Sequence, residues 1–119
     1  MINWNNLDTL TSFKELSEVE RVNLAEVMSG ENGAERVKDY SVPMTEDLTY
    51  NYAAKAVDDK VLAALAKLAK EAQLTEKYAA LYNGEVINTG EKRLVLHQLT
   101  RGQLGDKVEA YGVDKREFY

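Results

Sequence analysis

Three basic side chains recur at four-residue spacing near the end of the chain: Arg93, His97 and Arg101. On an α-helix each would lie about 40° around the axis from the last, so the three would form one polar stripe. Two guanidinium groups beside an imidazole can hold a phosphate or a carboxylate through charge-assisted hydrogen bonds. An imidazole can also move a proton near neutral pH. The pattern therefore indicates an anion site, with acid–base chemistry as an option.

A structural interpretation competes with this one, and we favour it. Arginines at such spacing also pair with acidic groups or backbone carbonyls, and a lone histidine can fill a polar niche. Glu91 would lie in the first turn of the same helix, where a carboxylate interacts favourably with the helix dipole, so we expect it to cap the helix rather than to transfer protons. We therefore expect Glu91, Arg93, His97 and Arg101 to support a site or an interface, and we assign no catalytic, substrate-binding or metal-binding residue.

Tyrosines are the second set of candidates. They could provide a stacking surface for bases or sugars, but tyrosines at strand or helix spacing are more often core residues with a solvated hydroxyl. No basic residues are interleaved with them, so we favour the core. The residues concerned are Tyr40, Tyr50, Tyr52, Tyr78 and Tyr82.

Composition excludes several classes of protein. The 119 residues carry 15 basic and 20 acidic side chains, for a net charge of −5, so the basic surface typical of a nucleic-acid binder is missing. With no cysteine and one histidine, neither a disulfide framework nor a multi-histidine metal site is possible. No apolar run approaches the roughly 20 residues that span a bilayer. We expect a cytoplasmic protein without nucleic-acid or membrane partners.

Hydrophobic periodicity predicts mostly helices. A short first helix covers Trp4 to Leu10, and Ser17-x-x-Glu20 is a capping box for a second helix that ends at Gly30. A clear amphipathic helix follows Asp58 and Asp59 and presents one apolar face. Its apolar residues are Val61, Leu62, Leu65, Leu68, Ala69 and Ala72. Thr75 is expected to cap the next helix, which Gly84 terminates.

Between these helices, near residues 36–54, apolar and polar residues alternate. Tyr40 and Val42, then Leu48 to Tyr52, predict two strands, and Pro43 favours a turn or an edge. An antiparallel hairpin of this kind is not stable alone and is expected to lie on the helices. The predicted fold is mainly α with a small antiparallel β-hairpin, in the α+β class.

The last third of the chain is predicted to contain one more helix, from about Glu91 to Thr100, after a turn at Asn88 to Gly90. It would bury Leu94, Val95 and Leu99. We divide the chain into a helical segment with its hairpin, residues 1–105, and residues 106–119, which have the character of a truncated helix leading into further domains.

A longer pattern in the same region resembles a known family. Gly84-Glu85-Val86-Ile87-Asn88, followed by Glu91-x-Arg93-x-Val95-Leu96-His97, is similar to the N-terminal part of glucose-6-phosphate isomerases. Trp4-x-x-Leu7 and Asn51-Tyr52 add weaker matches, although Asn51, Ala53 and Gly90 depart from the family pattern. The stretch Leu96 to Gly102 looks like a spirochaete-type bacterial branch.

The resemblance implies the N-terminal helical part of a larger sugar-isomerase α/β enzyme. Family members interconvert glucose 6-phosphate and fructose 6-phosphate through an enediol, in glycolysis and gluconeogenesis, as homodimers without a metal or organic cofactor. Their catalytic residues belong to two α/β subdomains beyond the matched region, so none is carried over to this sequence. The expected partners are the remainder of the isomerase chain and, in the intact enzyme, the sugar phosphate. The 119 residues alone are expected to be inactive.

The alternative is a self-contained helical protein-binding module without catalysis. Surface properties distinguish the two readings. A segment of a larger enzyme is expected to expose an apolar face, near Leu94 to Leu104, whereas a finished module is expected to be polar all round.

Overall fold

A computed structural model describes residues 1–101 and 107–118. The chain divides into two compact units, one formed by residues 11–67 and the other by residues 1–10 together with 68–119. Helices dominate and the longest strands form an antiparallel hairpin, so the predicted α+β class is confirmed.

The unit of residues 11–67 begins with three short helices, continues through the hairpin and ends in the first turns of a longer helix. The helices are α1 (Thr11–Glu18), α2 (Leu24–Ser29), α3 (Gly33–Asp39) and α4 (Asp59–Glu71), and the strands are β1 (Ser41–Thr45) and β2 (Leu48–Asn51). The backbone N–H of Gly30 bonds to Glu26 where α2 ends, and Asp58 Oδ1 accepts the N–H of Val61, 2.8 Å away, at the start of α4. Both boundaries agree with the sequence prediction.

The hairpin pairs β1 with β2 in antiparallel register, with Val42 opposite Tyr50 and a bulge between Pro43 and Thr45. Every residue of the two strands is exposed except Ser41, which is half-buried. The expectation that the hairpin lies on the helices is therefore wrong for the strands themselves. Contact with α3 is made at its base, where Asn51 Nδ2 donates to the Val37 carbonyl at 2.6 Å. Beside it, the rings of Tyr40 and Tyr52, which flank the two strands, meet edge to face at 5.3 Å.

Arg36 joins α3 to the segment that follows the hairpin. Its side chain is buried, with Nε donating to the carbonyl of Ala53 at 2.9 Å and Nη2 donating to the carbonyls of Lys55 and Val57 at 3.0 and 2.7 Å. The guanidinium also lies over the ring of Tyr40, 4.1 Å from its centroid. One planar group thus satisfies three carbonyls of an irregular segment, as a buried backbone requires.

In its described residues, the second unit contains the end of α4, the helix α5 (Leu74–Tyr82) and short pieces around them. These are 3₁₀ turns at Leu7–Thr9, His97–Thr100 and Lys115–Phe118, and a small antiparallel pair, β3 (Glu109–Ala110) with β4 (Val113–Asp114). Leu96, Leu99 and Val108 form the buried cluster of this unit, with Leu94 packed against it.

Three predictions for the first 40 residues are wrong. In place of a helix from Trp4 to Leu10, the chain forms a 3₁₀ turn at Leu7–Thr9. Ser17 does not begin a helix: it lies in the last turn of α1, where its hydroxyl donates to the carbonyl of Lys14, a local bond that serines also make inside helices. Residues 36–39, expected to open the hairpin region, belong to α3. That helix contains good helix formers, and it is the helix that carries Arg36 to its carbonyl partners.

Three of the five tyrosines are not core residues. Tyr50, Tyr78 and Tyr82 are exposed, whereas Tyr40 and Tyr52 are half-buried. Tyr78 and Tyr82 stack on each other along the surface of α5, with ring centroids 5.7 Å apart, because residues four apart are neighbours on a helix.

The end of the chain also differs from the prediction. In place of an α-helix beginning at residue 106, residues 107–118 form the β3–β4 pair and one 3₁₀ turn. Tyr111 and Gly112, both with positive φ, make the two-residue turn that joins the strands, as hairpin turns of this length require. No helix in the described part of the chain has the length and apolarity needed to cross a membrane.

Replacing Arg36 with lysine is expected to destabilise the unit of residues 11–67. A lysine can donate from one point only, so at least one buried carbonyl loses its partner, and the free energy of unfolding should fall by about 2 kcal/mol or more. Urea denaturation followed by circular dichroism measures this. Arg21→Lys, at an exposed position, is the matched control and should change little. Equal stability of the two variants would contradict the role given to Arg36.

Tyr40 provides a pH-dependent test of the same contacts. Its hydroxyl donates to Asp59 Oδ1 at 3.2 Å. Burial, followed by the Asp59 carboxylate, raises the pKa of Tyr40 above its ordinary value of 10.0 and outweighs the opposing effect of Arg36. The folded chain therefore keeps this proton to a higher pH than the unfolded chain does, so stability falls as pH rises past the ordinary value.

We expect the free energy of unfolding to fall more steeply between about pH 9.5 and 11 in the native sequence than in Tyr40→Phe, which has no proton to lose there. Urea denaturation across this range measures the two slopes. Lysines and the other tyrosines are common to both proteins, so the difference isolates Tyr40. Parallel slopes would show that the ionisation of Tyr40 is not linked to folding.

Candidate functional site

The segment from Gly84 to Arg101, which contains the candidate residues, starts at the end of α5. There Glu85 N–H donates to the Ala80 carbonyl at 3.0 Å and Gly84 N–H donates to the Leu81 carbonyl at 3.2 Å. With Gly84 at φ +76°, this is a Schellman cap, which satisfies the last carbonyls of the helix. The predicted termination at Gly84 is confirmed, and the cap sets the direction in which the segment leaves α5.

Gly84 also allows a close approach of two parts of the chain. A Cβ at this position would lie 2.8 Å from Cγ1 of Val108 and 3.7 Å from Leu96 Cδ2, so a larger residue would collide with the buried cluster. The segment is held again further along, where Gln98 Nε2 donates to the Leu81 carbonyl at 3.5 Å. The apolar side chains of Leu96 and Leu99 are thus fixed against Val108.

Residues 88–93 form a tight turn, not the start of a helix. Asn88 and Arg93 exchange backbone hydrogen bonds of 3.3 and 3.2 Å across an isolated antiparallel bridge. The Asn88 amide oxygen accepts the N–H of Glu91 at 3.2 Å, and its Nδ2 donates to the Glu91 carboxylate, also at 3.2 Å. Lys92 adopts a positive φ of 54°. The predicted turn at Asn88 thus extends through Arg93.

The predicted helix from Glu91 to Thr100 is therefore wrong. Asn88 captures the N–H of Glu91 in a local bond, the backbone reverses at Lys92, and only the 3₁₀ turn His97–Thr100 remains. Asn and Asp side chains commonly compete with helix formation in this way. Of the three residues predicted to be buried, Leu99 is buried, whereas Leu94 and Val95 are half-buried.

Without the helix, the polar stripe is not assembled. Arg93 lies near Glu91, with Nη1 3.8 Å from Oε2, and both side chains are largely exposed. His97 and Arg101 are exposed too, and within the described residues no hydrogen bond or ion pair joins either of them to Arg93. The structure brings Asn88, Glu91 and Arg93 together and leaves the other two apart. Surface ion pairs of this kind contribute little stability.

His97 instead borders a small cleft of about 280 Å³. The residues that line it are Leu94, Leu96, His97, Thr100 and Lys115. The hydroxyl of Thr100 is already hydrogen-bonded, since it donates to the His97 carbonyl at 2.8 Å. An imidazole and an ammonium beside two leucines can meet an acidic side chain of a partner, but they do not make an acid–base pair around a bound substrate.

Two residues organise their surroundings most strongly, Asn88 and Arg36; the sequence predicted the turn at Asn88 but gave no indication of the role of Arg36. Asn88 had a signal, since Asn-Thr-Gly is typical turn chemistry, and its bonds to Glu91 follow from that turn. Arg36 had none, because its three acceptors lie 17 to 21 residues further along the chain and nothing in the local pattern points to them.

Substituting Gly84 by alanine is expected to lower the free energy of unfolding by about 1–3 kcal/mol, through the strained φ and the contact with Val108. Gly112→Ala shares the positive φ but has open space around the added methyl group, so it should cost less. Gly90→Ala meets only Asn88 Oδ1, at 3.8 Å, and should be close to neutral. Urea denaturation gives the order, and a Gly84 variant no less stable than Gly90→Ala would disprove the close approach.

Comparison with known proteins covers the whole chain. The phosphoglucose isomerase family model matches residues 51–117. A glucose-6-phosphate isomerase of Treponema denticola is 53% identical over 98% of this chain and 23% of its own length. The Treponema pallidum (strain Nichols) enzyme is 42% identical over 99% of this chain and 22% of its own. The enzyme of Borreliella burgdorferi (strain B31) is 39% identical over 100% and 22%.

These findings confirm the resemblance inferred from Gly84 to Arg101, including its spirochaete character. The chain spans less than a quarter of the length of the relatives named. The family model extends well outside that segment, from the end of the β1–β2 hairpin through α4 and α5 to the 3₁₀ turn at Lys115–Phe118. The chain belongs to the phosphoglucose isomerase family.

Proposed function

We propose that this chain is the N-terminal portion of a glucose-6-phosphate isomerase, and that its role in the intact enzyme is structural. The observation that carries the proposal is the identity of 53% to the Treponema denticola isomerase over 98% of the chain. The intact protein would interconvert glucose 6-phosphate and fructose 6-phosphate in the cytoplasm, as a homodimer. Family membership is what supports the proposed substrate, dimer and location.

The described site supports a structural role. Isomerisation through an enediol needs a base and an acid held around one substrate, whereas Glu91, His97 and Arg101 are exposed and separate. What the segment does provide is a fixed backbone, capped at Gly84 and anchored by Leu96 and Leu99. Charged groups held on such a backbone are suited to an interface with the rest of the enzyme.

We therefore assign Glu91, Arg93, His97 and Arg101 to that interface. Arg93 presents a guanidinium that is 76% exposed and only loosely associated with Glu91, so it can pair with a carboxylate of another segment. An ion pair of Arg93 across an interface would contribute more to stability than its present pair with Glu91, because an interface excludes water and weakens the screening of the two charges.

The proposal predicts that the 119-residue chain shows no isomerase activity, while a chimera in which it replaces the aligned segment of the Treponema denticola enzyme is active. Conversion of fructose 6-phosphate to glucose 6-phosphate, followed by a coupled dehydrogenase assay, measures both. The Treponema denticola enzyme with that segment deleted is the control and should be inactive. Activity of the isolated chain above background, or an inactive chimera, would refute the proposal.

A further inference from the structure

The β1–β2 hairpin carries a large apolar surface that this chain leaves open. Four of its side chains are large and apolar, and their exposed fractions are 42% for Val42, 61% for Met44, 57% for Leu48 and 48% for Tyr50. A two-stranded hairpin is at best marginally stable in water unless something packs on it. Contiguous exposed apolar side chains also mark sites of protein–protein contact.

One face of the hairpin continues into a groove. Val42 and Tyr50 are cross-strand partners, so their side chains lie on the same face, and the ring of Tyr50 stacks on that of Tyr52 with centroids 6.1 Å apart. A cleft of about 400 Å³ lies against them. We call it the hairpin groove; its lining is Val42, Tyr50, Tyr52, Lys55, Val57 and Leu62.

The backbone of Tyr52, Lys55 and Val57, which line the hairpin groove, is held in place by hydrogen bonds. Arg36 bonds the carbonyls of Lys55 and Val57, and Tyr52 N–H donates to the carbonyl of Tyr40 at 2.8 Å. The groove is therefore a preformed surface, which loses little conformational entropy when a partner binds. Among the described residues that line it, Lys55 alone is charged, so the partner should be apolar with an acidic group at the rim.

We propose that the hairpin groove is the docking surface for the remaining part of the isomerase polypeptide, through an apolar segment bearing a carboxylate that meets Lys55. This inference rests on the proposed function. More than three quarters of the Treponema denticola relative lies outside the region aligned with this chain, so a covering body of the necessary size exists in the relative. Its attachment to the same chain also removes the entropic cost of bringing two molecules together.

The test compares one substitution in two contexts. Tyr50→Glu places a charge in the groove, and Thr49→Glu places the same charge on the opposite face of β2, where the side chain is also exposed. Successive strand residues point to opposite faces. The two variants therefore place the same charge on the same strand, one residue apart, but only one of them places it in the groove. Both variants are made in the isolated chain and in the chimera with the Treponema denticola enzyme, and Val42→Glu repeats the groove substitution on β1.

In the chimera, Tyr50→Glu and Val42→Glu should lower the midpoint of thermal inactivation by roughly 5 °C or more, because a charge would be buried without a partner. Thr49→Glu should leave it nearly unchanged. In the isolated chain, the groove variants lose only the Val42–Tyr50 pairing and the Tyr50–Tyr52 stacking, so their difference from Thr49→Glu should be clearly smaller than in the chimera. A difference in the chimera no larger than that in the isolated chain overturns the inference while leaving the proposed function intact.

Two other outcomes separate the alternatives. If the groove variants abolish self-association of the isolated chain in analytical ultracentrifugation and leave the chimera unaffected, the occupant is a second copy, and the proposal is wrong. If the chimera with the native groove has no isomerase activity, the proposed function fails, and the inference fails with it.

Discussion

The three hydrogen bonds of Arg36 are the interaction on which the first unit depends. The segment between β2 and α4 has no regular secondary structure in which its carbonyls could be hydrogen-bonded. A buried carbonyl group without a donor costs about 1–3 kcal/mol. A guanidinium meets the need because its donors lie in one plane and its charge is delocalised. The ring of Tyr40 packs against the guanidinium, with its centroid 4.1 Å from Cζ. The hairpin base, the loop and the entry to α4 are positioned together by one side chain.

The second unit depends on shape rather than charge. Gly84 has φ +76° at the end of α5 and lies against Val108, so the absence of a side chain meets two requirements at once. The backbone can turn left-handed, and the buried cluster can come close to the helix end. Leu96 and Leu99 then complete the cluster with Val108. Gly84 and Leu96, which belong to the family-like motif, are therefore among the residues that hold this unit together.

Sequence predicted the elements best where their signals are local. The start of α4 follows from Asp58, the ends of α2 and α5 follow from Gly30 and Gly84, and the hairpin follows from alternation between Val42 and Tyr50. The polar stripe of Arg93, His97 and Arg101 was predicted wrongly, because residues four apart lie on one face only in a helix. Asn88 forms a turn with Glu91, and the helix does not form. Arg36 was not predictable, because its role depends on acceptors distant in sequence.

Buried residues were predicted less well than helices and strands, because many apolar side chains that the sequence pattern assigns to a core are partly exposed. Among the described residues no large side chain is fully buried, and the buried apolar set includes four alanines. α4 has a well-defined apolar stripe, yet none of its residues is buried, and Leu65 remains 39% exposed. Tyr50 and Tyr78 show the same mismatch between amphipathic pattern and exposure.

The sequence gives these helices and strands apolar faces suited to burial, but the described residues leave those faces partly exposed. The local pattern and the overall fold therefore disagree, whereas in a complete fold they normally agree. That agreement returns if part of each apolar face is covered by other parts of a longer polypeptide. The relatives, more than four times the length of the aligned segment, contain enough chain to provide that cover. On that proposal, the exposed hairpin and the half-buried α4 have one physical cause: their apolar faces are patterned for contacts that the described residues do not supply.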